Sequence, residues 1–131
     1  MLRTYTVRLV ALTIGVEVKW VDNLLSHFAL DGVTRSRQGV ERQISDAGLL
    51  AIELIRALHV ELRIPVVNAV MLTRQALATR GRGGQDLMLE SGLRVAIPYA
   101  TLEQRLRAQM MEAMESVARI PRGRPRRDAS A

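Results

Sequence analysis

A mainly helical fold with two small β-hairpins is what this sequence predicts, on three observations. Apolar residues recur at helical spacing through most of the chain. Sharp punctuation divides those runs, at Gly15, Asp31-Gly32, Pro65, Gly83-Gly84 and Pro98. Two stretches, 33–44 and 86–97, instead flank a Gln-Gly and a Ser-Gly pair with short β-type runs. The 131 residues suit one compact domain plus tails, and 48% apolar content is enough for a real core. Aromatics make up only 3%, so Leu, Val, Ile, Ala and Met must build that core.

The first helix opens at Tyr5-Thr6-Val7 and puts Val7, Val10, Ala11 and Ile14 on one face. Gly15 then supplies a turn residue tolerant of positive φ. A second helix follows over 17–28. Val16, Val21 and Leu24 pin it back onto Val10 and Ile14, while the small Ala11 lets the two helices touch. Residues 10–24 thus read as a helix–turn–helix. Trp20, Val21, Leu24 and Leu25 or Phe28 form the inner face of the second helix. Glu17, Val18, Lys19, Asp22, Asn23, Ser26 and His27 form the outer one.

The hairpin over 33–44 is placed to be a wing. Ser45 or Asp46 caps a third helix, which Leu49, Leu50, Ile52, Leu54, Ile55 and Leu58 make almost wholly buried. Pro65 fits the first turn of a fourth helix over 66–78, and Arg80-Gly81-Arg82-Gly83-Gly84 reads as a flexible loop. Asp86–Glu90 and Leu93–Ile97 form the second hairpin around a two-residue Ser91-Gly92 link. Thr101 and Gln104 have capping-box spacing, so the last helix is expected from Thr101 to about Ala118. Leu102, Leu106, Met110, Ala113 or Met114, and Val117 stripe one side of it. The expected division is a winged helix–turn–helix over 1–79, a loop over 80–85, a hairpin plus helix over 86–118 whose apolar faces serve dimerisation or partner binding, and a disordered basic tail over 119–131.

Composition also excludes functions. The chain has no Cys, which removes disulfides, thiolate metal sites and cysteine nucleophiles. His27 and His59 lie far apart without a second ligand at helical spacing, so no metal is expected. The Arg80–Gly84 segment lacks the Lys-Ser/Thr ending of a phosphate-binding loop. No nucleophile–base pair or acid pair emerges, so the chain is not expected to be an enzyme, and no cofactor is expected. No apolar run reaches the roughly 18 residues of a membrane span. Met1-Leu2-Arg3-Thr4 is too short and polar for a signal peptide, so a cytoplasmic location is expected.

Charge placement points towards DNA. The net charge is +6, and residues 119–131 hold five Arg against one Asp, so four of those charges sit in the tail. On the second helix, Lys19 and Asn23 suit a guanine and an adenine edge, and Val18 a thymine methyl. Glu17 and Asp22 repel phosphates, but they can accept from cytosine N4. Arg35, Arg37 and Arg42 on the wing suit phosphates, where each contact adds affinity and salt dependence without specificity.

Residues 5–79 resemble the DNA-binding domain of the MerR-like regulators. The resemblance runs through Tyr5-Thr6-Val7, Ala11, Gly15-Val16, Val21, Leu24 and Leu30. It continues through Arg37-Gln38-Gly39-Val40-Glu41-Arg42-Gln43-Ile44-Ser45, the apolar helix after it and Ile64-Pro65. It implies a winged helix–turn–helix whose base or phosphate contacts carry over to Lys19, Arg35, Arg37 and Arg42. Asp22-Asn23-Leu24 stand where that family has a basic residue and aromatics. A hairpin and one helix replace its long dimer helix and effector domain.

The tail resembles an AT-hook in Pro121-Arg122-Gly123-Arg124-Pro125-Arg126-Arg127. Narrow A·T minor grooves have an enhanced negative potential that draws in Arg. Arg122 and Arg124 would enter the groove, Gly123 lets the backbone approach its floor, and Arg126 and Arg127 reach phosphates.

The expectation is a sequence-specific, homodimeric DNA-binding repressor with a preference for A·T-rich flanks. Two alternatives stay open. One is an autoregulating antitoxin whose 86–118 segment binds a toxin. The other is an architectural nucleoid-associated or phage protein bound mainly through its tail.

Overall fold

A computed structural model describes residues 3–34, 40–83 and 86–119. In chain order the elements are β1 (Thr4–Tyr5), α1 (Val7–Ile14), α2 (Val18–His27), β2 (Ile44–Ser45) and α3 (Asp46–Arg56). There follow a π-helical continuation (Ala57–Glu61), α4 (Val66–Gly81), β3 (Asp86–Met88), β4 (Arg94–Ala96) and α5 (Tyr99–Arg119). The fold is mainly helical, as the sequence predicts, with two small antiparallel strand pairs. One pair, β3–β4, is one of the two expected hairpins, whereas β1–β2 pairs Thr4–Tyr5, expected at the opening of the first helix, with Ile44–Ser45.

Local chemistry accounts for the first elements. The Thr6 hydroxyl accepts from the Leu9 amide at 3.1 Å and caps α1. Gly15 ends α1 at φ 74°, and the Val16 amide reaches back to the Ala11 carbonyl at 3.0 Å. Ala11 is fully buried, as the close approach of α1 and α2 requires. The second helix is one residue shorter at each end than expected. Glu17 caps it through its backbone alone, and Phe28 leaves it in an extended conformation. Val21, Leu24 and Leu25 are buried, with Trp20 and Phe28 half-buried beside them.

Ile44 joins three segments. It pairs with Tyr5 across β1–β2 and bridges Val33 on its other side, both antiparallel. The Thr34 amide donates to the Gln43 carbonyl at 3.0 Å, closing the base of the hairpin expected over 33–44. Its tip, including Arg35 and Arg37, lies outside the described residues. Ile44 is wholly buried, and so the register at this base is fixed by packing as well as by hydrogen bonds.

Ser45 caps α3, accepting from the Gly48 amide at 3.3 Å. Gly32 and Gly48 meet here. A Cβ on Gly32, which has φ +87°, would lie 2.5 Å from the Gly48 nitrogen, and one on Gly48 would lie 2.7 Å from the Gly32 oxygen. The helix start therefore packs backbone to backbone on the turn after α2.

The later elements depart from expectation where tertiary contacts override local signals. The π-helical turn after α3 was not foreseen. It is closed by the Ile64 amide on the Leu58 carbonyl (3.1 Å) and by His59 Nδ1 at 2.8 Å from the Ile64 carbonyl. Arg80 and Gly81 belong to α4 rather than to a loop, so the helix runs three residues past the expected Ala78. Arg80 holds both Glu103 oxygens, at 3.1 and 2.9 Å, and its guanidinium lies 4.4 Å over the Tyr99 ring. These contacts offset the low helix propensity of Gly81.

The second hairpin is present, with Leu87 opposite Val95, but its link is the three-residue Glu90-Ser91-Gly92. Leu89 and Leu93 still exchange a backbone hydrogen bond, which leaves Gly92 to take the left-handed position of that loop. The last helix begins at Tyr99, and so Thr101 lies inside its first turn and is not the cap. Burial of Tyr99, whose hydroxyl donates to the Ala76 carbonyl at 3.2 Å, draws the start two residues earlier.

One apolar core runs through the molecule, from Tyr5 and Val10 to Leu106 and Met110. Helix α5 packs along α1, α3 packs on α4, and β3 leans on α4. Leu106, Met110 and Ala113 are buried against the rest of the chain, and the Met110 sulfur lies 3.4 Å from the Thr13 hydroxyl. Much of the apolar stripe expected to face a partner is thus used inside the chain. Val117 remains exposed, and Leu102 and Met114 are half-buried.

Candidate nucleic-acid interface

The outward face of α2 follows from its inner one. With Val21, Leu24 and Leu25 turned to the core, helical spacing leaves Lys19, Asn23 and Ser26 exposed. Val18 is 42% exposed, an apolar residue at the start of a polar face. Glu17, just before the helix, is also exposed. Among the described residues, Lys19 has no ion-pair partner. The Asn23 side chain makes no hydrogen bond there, although its carbonyl lies 2.8 Å from His27 Nδ1.

Asp22 sits on the same face, but it is not a bare charge. Arg42 reaches from the strand leading into β2, and its Nη1 lies 3.6 Å from Asp22 Oδ1. Its Nη2 donates to the Ser26 hydroxyl at 3.4 Å, and that hydroxyl donates to the Asp22 carbonyl at 2.7 Å. The Arg42 side chain is only 18% exposed. Arg42, read from the sequence as a phosphate contact on the wing, joins the hairpin base to the middle of α2 and pairs with Asp22.

Neighbouring contacts stiffen this unit. The Tyr5 hydroxyl donates to Asp46 Oδ1 at 2.8 Å, tying β1 to the start of α3. Burial, and then the nearby Asp46 carboxylate, hold the Tyr5 phenol above its ordinary value. Arg74 on α4 donates to the Ala29 carbonyl in the loop after α2. Thr4 Oγ1 donates to Gln43 Oε1 at 2.8 Å.

The structure thus brings together Val18, Lys19, Asp22, Asn23, Ser26 and Arg42, with Glu17 at their edge. Arg35, Arg37, Arg122, Gly123, Arg124, Arg126 and Arg127 lie outside the described residues. Sequence reasoning missed the Asp22–Arg42 link. The signal was present: Asp22 and Ser26 share a helix face four residues apart, and both are hydrogen-bonding partners for one arginine. It also missed Gly48, whose place in the first turn of an otherwise apolar helix marks a close backbone approach.

A second charged cluster lies away from this face. Glu53 is 3% exposed and meets Arg56 through both oxygens, at 2.6 and 2.9 Å, and Arg105 at 3.0 Å. Glu53 and then Glu61 hold the Arg56 guanidinium well above its ordinary value. Nothing in the cluster is placed as a nucleophile. Its geometry is that of a clamp from α3 to α5.

Among the described residues no group of three His, Asp or Glu side chains could hold a metal ion. No described helix is long and apolar enough to cross a membrane. No family model matches this chain, and neither does any curated protein or solved structure.

Proposed function

We propose that this chain is a sequence-specific DNA-binding transcriptional regulator with the layout of a winged helix–turn–helix. In this reading α2 enters the major groove, and the hairpin between Val33 and Ile44 is the wing. One observation carries the proposal. The outward face of α2 is mostly polar and exposed, and its central acid Asp22 is paired with Arg42, which mounts it on the hairpin base. A surface that only needed solvation would not require that mounting.

Lys19 and Asn23 are then the base readers, and Val18 packs on a thymine methyl. Glu17 borders the base edges at the start of the helix. Arg35 and Arg37 on the wing, with the Arg-rich segment 122–127, supply phosphate and minor-groove contacts. A single recognition helix reads few base pairs, so two copies acting on a two-fold site are expected.

The test is to incubate the protein with sheared DNA of its source organism near physiological salt and sequence the retained fragments. A few sharp sites support the reading. Retention of diffuse A·T-rich DNA favours an architectural protein bound by its tail, and no retention sinks the DNA reading. Removing residues 119–131 should weaken binding and flatten its salt slope while keeping the preferred sites.

A protein-binding role for the hairpin is the second reading, as in an antitoxin. Exposed Leu93 and Met88 on the hairpin and Met111 on α5 favour it. A small toxin or nuclease encoded beside this gene, and co-purifying with it, would support that role.

A further inference from the structure

A cavity of about 340 Å³ lies between α3 with its π-helical continuation, α4, β4 and the start of α5. Its wall is apolar, with Leu54, Leu58, Leu62, Val95, Ile97 and Leu102 contributing most of it. The volume falls at the lower end of the range of small-molecule sites, about 300–1,000 Å³. It is several times larger than the roughly 30 Å³ a single water occupies in the liquid.

One buried polar group belongs to this wall. Thr73 lines the cavity from α4 and is 1% exposed, and its Oγ1 has no hydrogen-bond partner among the described residues. A helical threonine commonly satisfies its hydroxyl on the carbonyl four residues earlier, as Thr13 does on Leu9 at 2.7 Å. Thr73 does not, although a buried hydroxyl left unpaired is destabilising.

The charges at the cavity are already matched. Glu61 pairs with Arg56 at 2.8 Å, and Arg105 pairs with the buried Glu53 at 3.0 Å. A charged ligand would therefore meet no unsatisfied counter-charge. The floor is formed partly by the π-helical turn, a backbone irregularity that recurs at functional sites.

We propose that this cavity binds a neutral, largely apolar small molecule carrying one hydroxyl or carbonyl, which pairs with the Thr73 hydroxyl. The proposal does not depend on the DNA reading, since the cavity shares no wall with the outward face of α2.

The full chain is titrated with 2-naphthol and with 2-methylnaphthalene, which has nearly the same shape but no hydroxyl. The expected result is saturable one-to-one binding of 2-naphthol and at least tenfold weaker binding of 2-methylnaphthalene. Thr73→Val should erase that preference while raising the thermal midpoint of the unliganded protein. Ala96→Phe, at an exposed position on the rim, should block both compounds.

Absence of saturable binding of either compound up to its solubility would overturn the proposal. So would an undiminished preference in Thr73→Val, or a lower midpoint in that variant, which would mean the hydroxyl already has a partner. Should Thr73→Val not fold, unchanged binding by Ala96→Phe overturns the proposal and lost binding supports it.

Discussion

The region around α2 and the region around α5 are held by different means. Around α2, backbone meets backbone: Gly32 lies against Gly48, and Ile44 pairs with Tyr5 on one side and Val33 on the other. Around α5, charged side chains bridge long separations: Arg80 to Glu103, and Arg105 to Glu53. The first kind of contact has no slack, because a Cβ cannot rotate out of the way. The second kind is compliant, because long charged side chains can re-aim around several rotatable bonds. The difference suits a unit that must present one face accurately, carried on a frame that can adjust.

The strongest break in that comparison is Gly48→Ala or Gly32→Ala. The added methyl meets backbone atoms in both cases, and at Gly32 the positive φ adds strain. Each should lower stability by about 3 kcal/mol, read as a shift in the urea midpoint. A loss below 1 kcal/mol at both sites would show that the turn and the helix start can part at little expense.

Glu53→Ala comes next and probes the compliant region. It leaves the largely buried Arg56 with Glu61 as its acidic partner and releases Arg105, which can turn to water. The expected loss is about 2 kcal/mol, below the 3–5 typical of a fully buried pair. Equal losses in low and high salt would contradict the electrostatic account.

Gly15→Ala should cost about 1 kcal/mol, since nothing lies within 4 Å of the added Cβ and only the backbone conformation resists it. Comparison with Gly32→Ala therefore separates conformational strain from steric clash.

Arg80→Ala is expected to change the acid limb of the stability curve. Arg80 hydrogen bonds hold the Glu103 carboxyl below its ordinary 4.5. A carboxyl lowered in the folded state stabilises it fully above 4.5, and that contribution fades as pH falls through the lower folded value. The variant should lose stability at neutral pH by about 1 kcal/mol and show a flatter decline below pH 4.5. A decline as steep as the parent's would remove Glu103 from the account.

The smallest stability effect is expected at Arg42→Ala. Its partner Asp22 is half-exposed, and such pairs contribute about 0.5 kcal/mol or less. The proposed function gives the same variant a larger effect on DNA, because it bares Asp22 towards the phosphates. Double-mutant cycles with Asp22→Asn, read by DNA affinity, should recover most of the loss.

The contrast between the regions also explains what could be read from the sequence. Gly15 and Ser45 act on residues next to them, and their roles were legible from spacing alone. The exposed face of α2 was legible as the complement of Val21, Leu24 and Leu25. The C-terminal end of α4 and the start of α5 were not, because Arg80 and Tyr99 are placed by each other across the fold. No local rule says that a helix continues through Arg80-Gly81, or that Tyr99 begins a helix two residues before a capping signal. The partnership of Glu53 with Arg105 is equally invisible to spacing, and the spacing of Asp22 and Ser26 marks a place for an arginine without saying that Arg42 fills it. The cavity beside Thr73 is invisible for the same reason, since four separate elements wall it.

The packing of α5 on α1 bears on how the molecule is made. Thr13 and Met110 stand 97 positions apart and touch in the finished fold. A chain emerging from the ribosome presents α1 long before α5 arrives to pack along it. About a hundred residues must be made before the first helix has this neighbour, and closing so long a loop is slow. Until then the nascent chain carries a bare apolar stripe, the kind of surface that chaperones hold and that drives self-association.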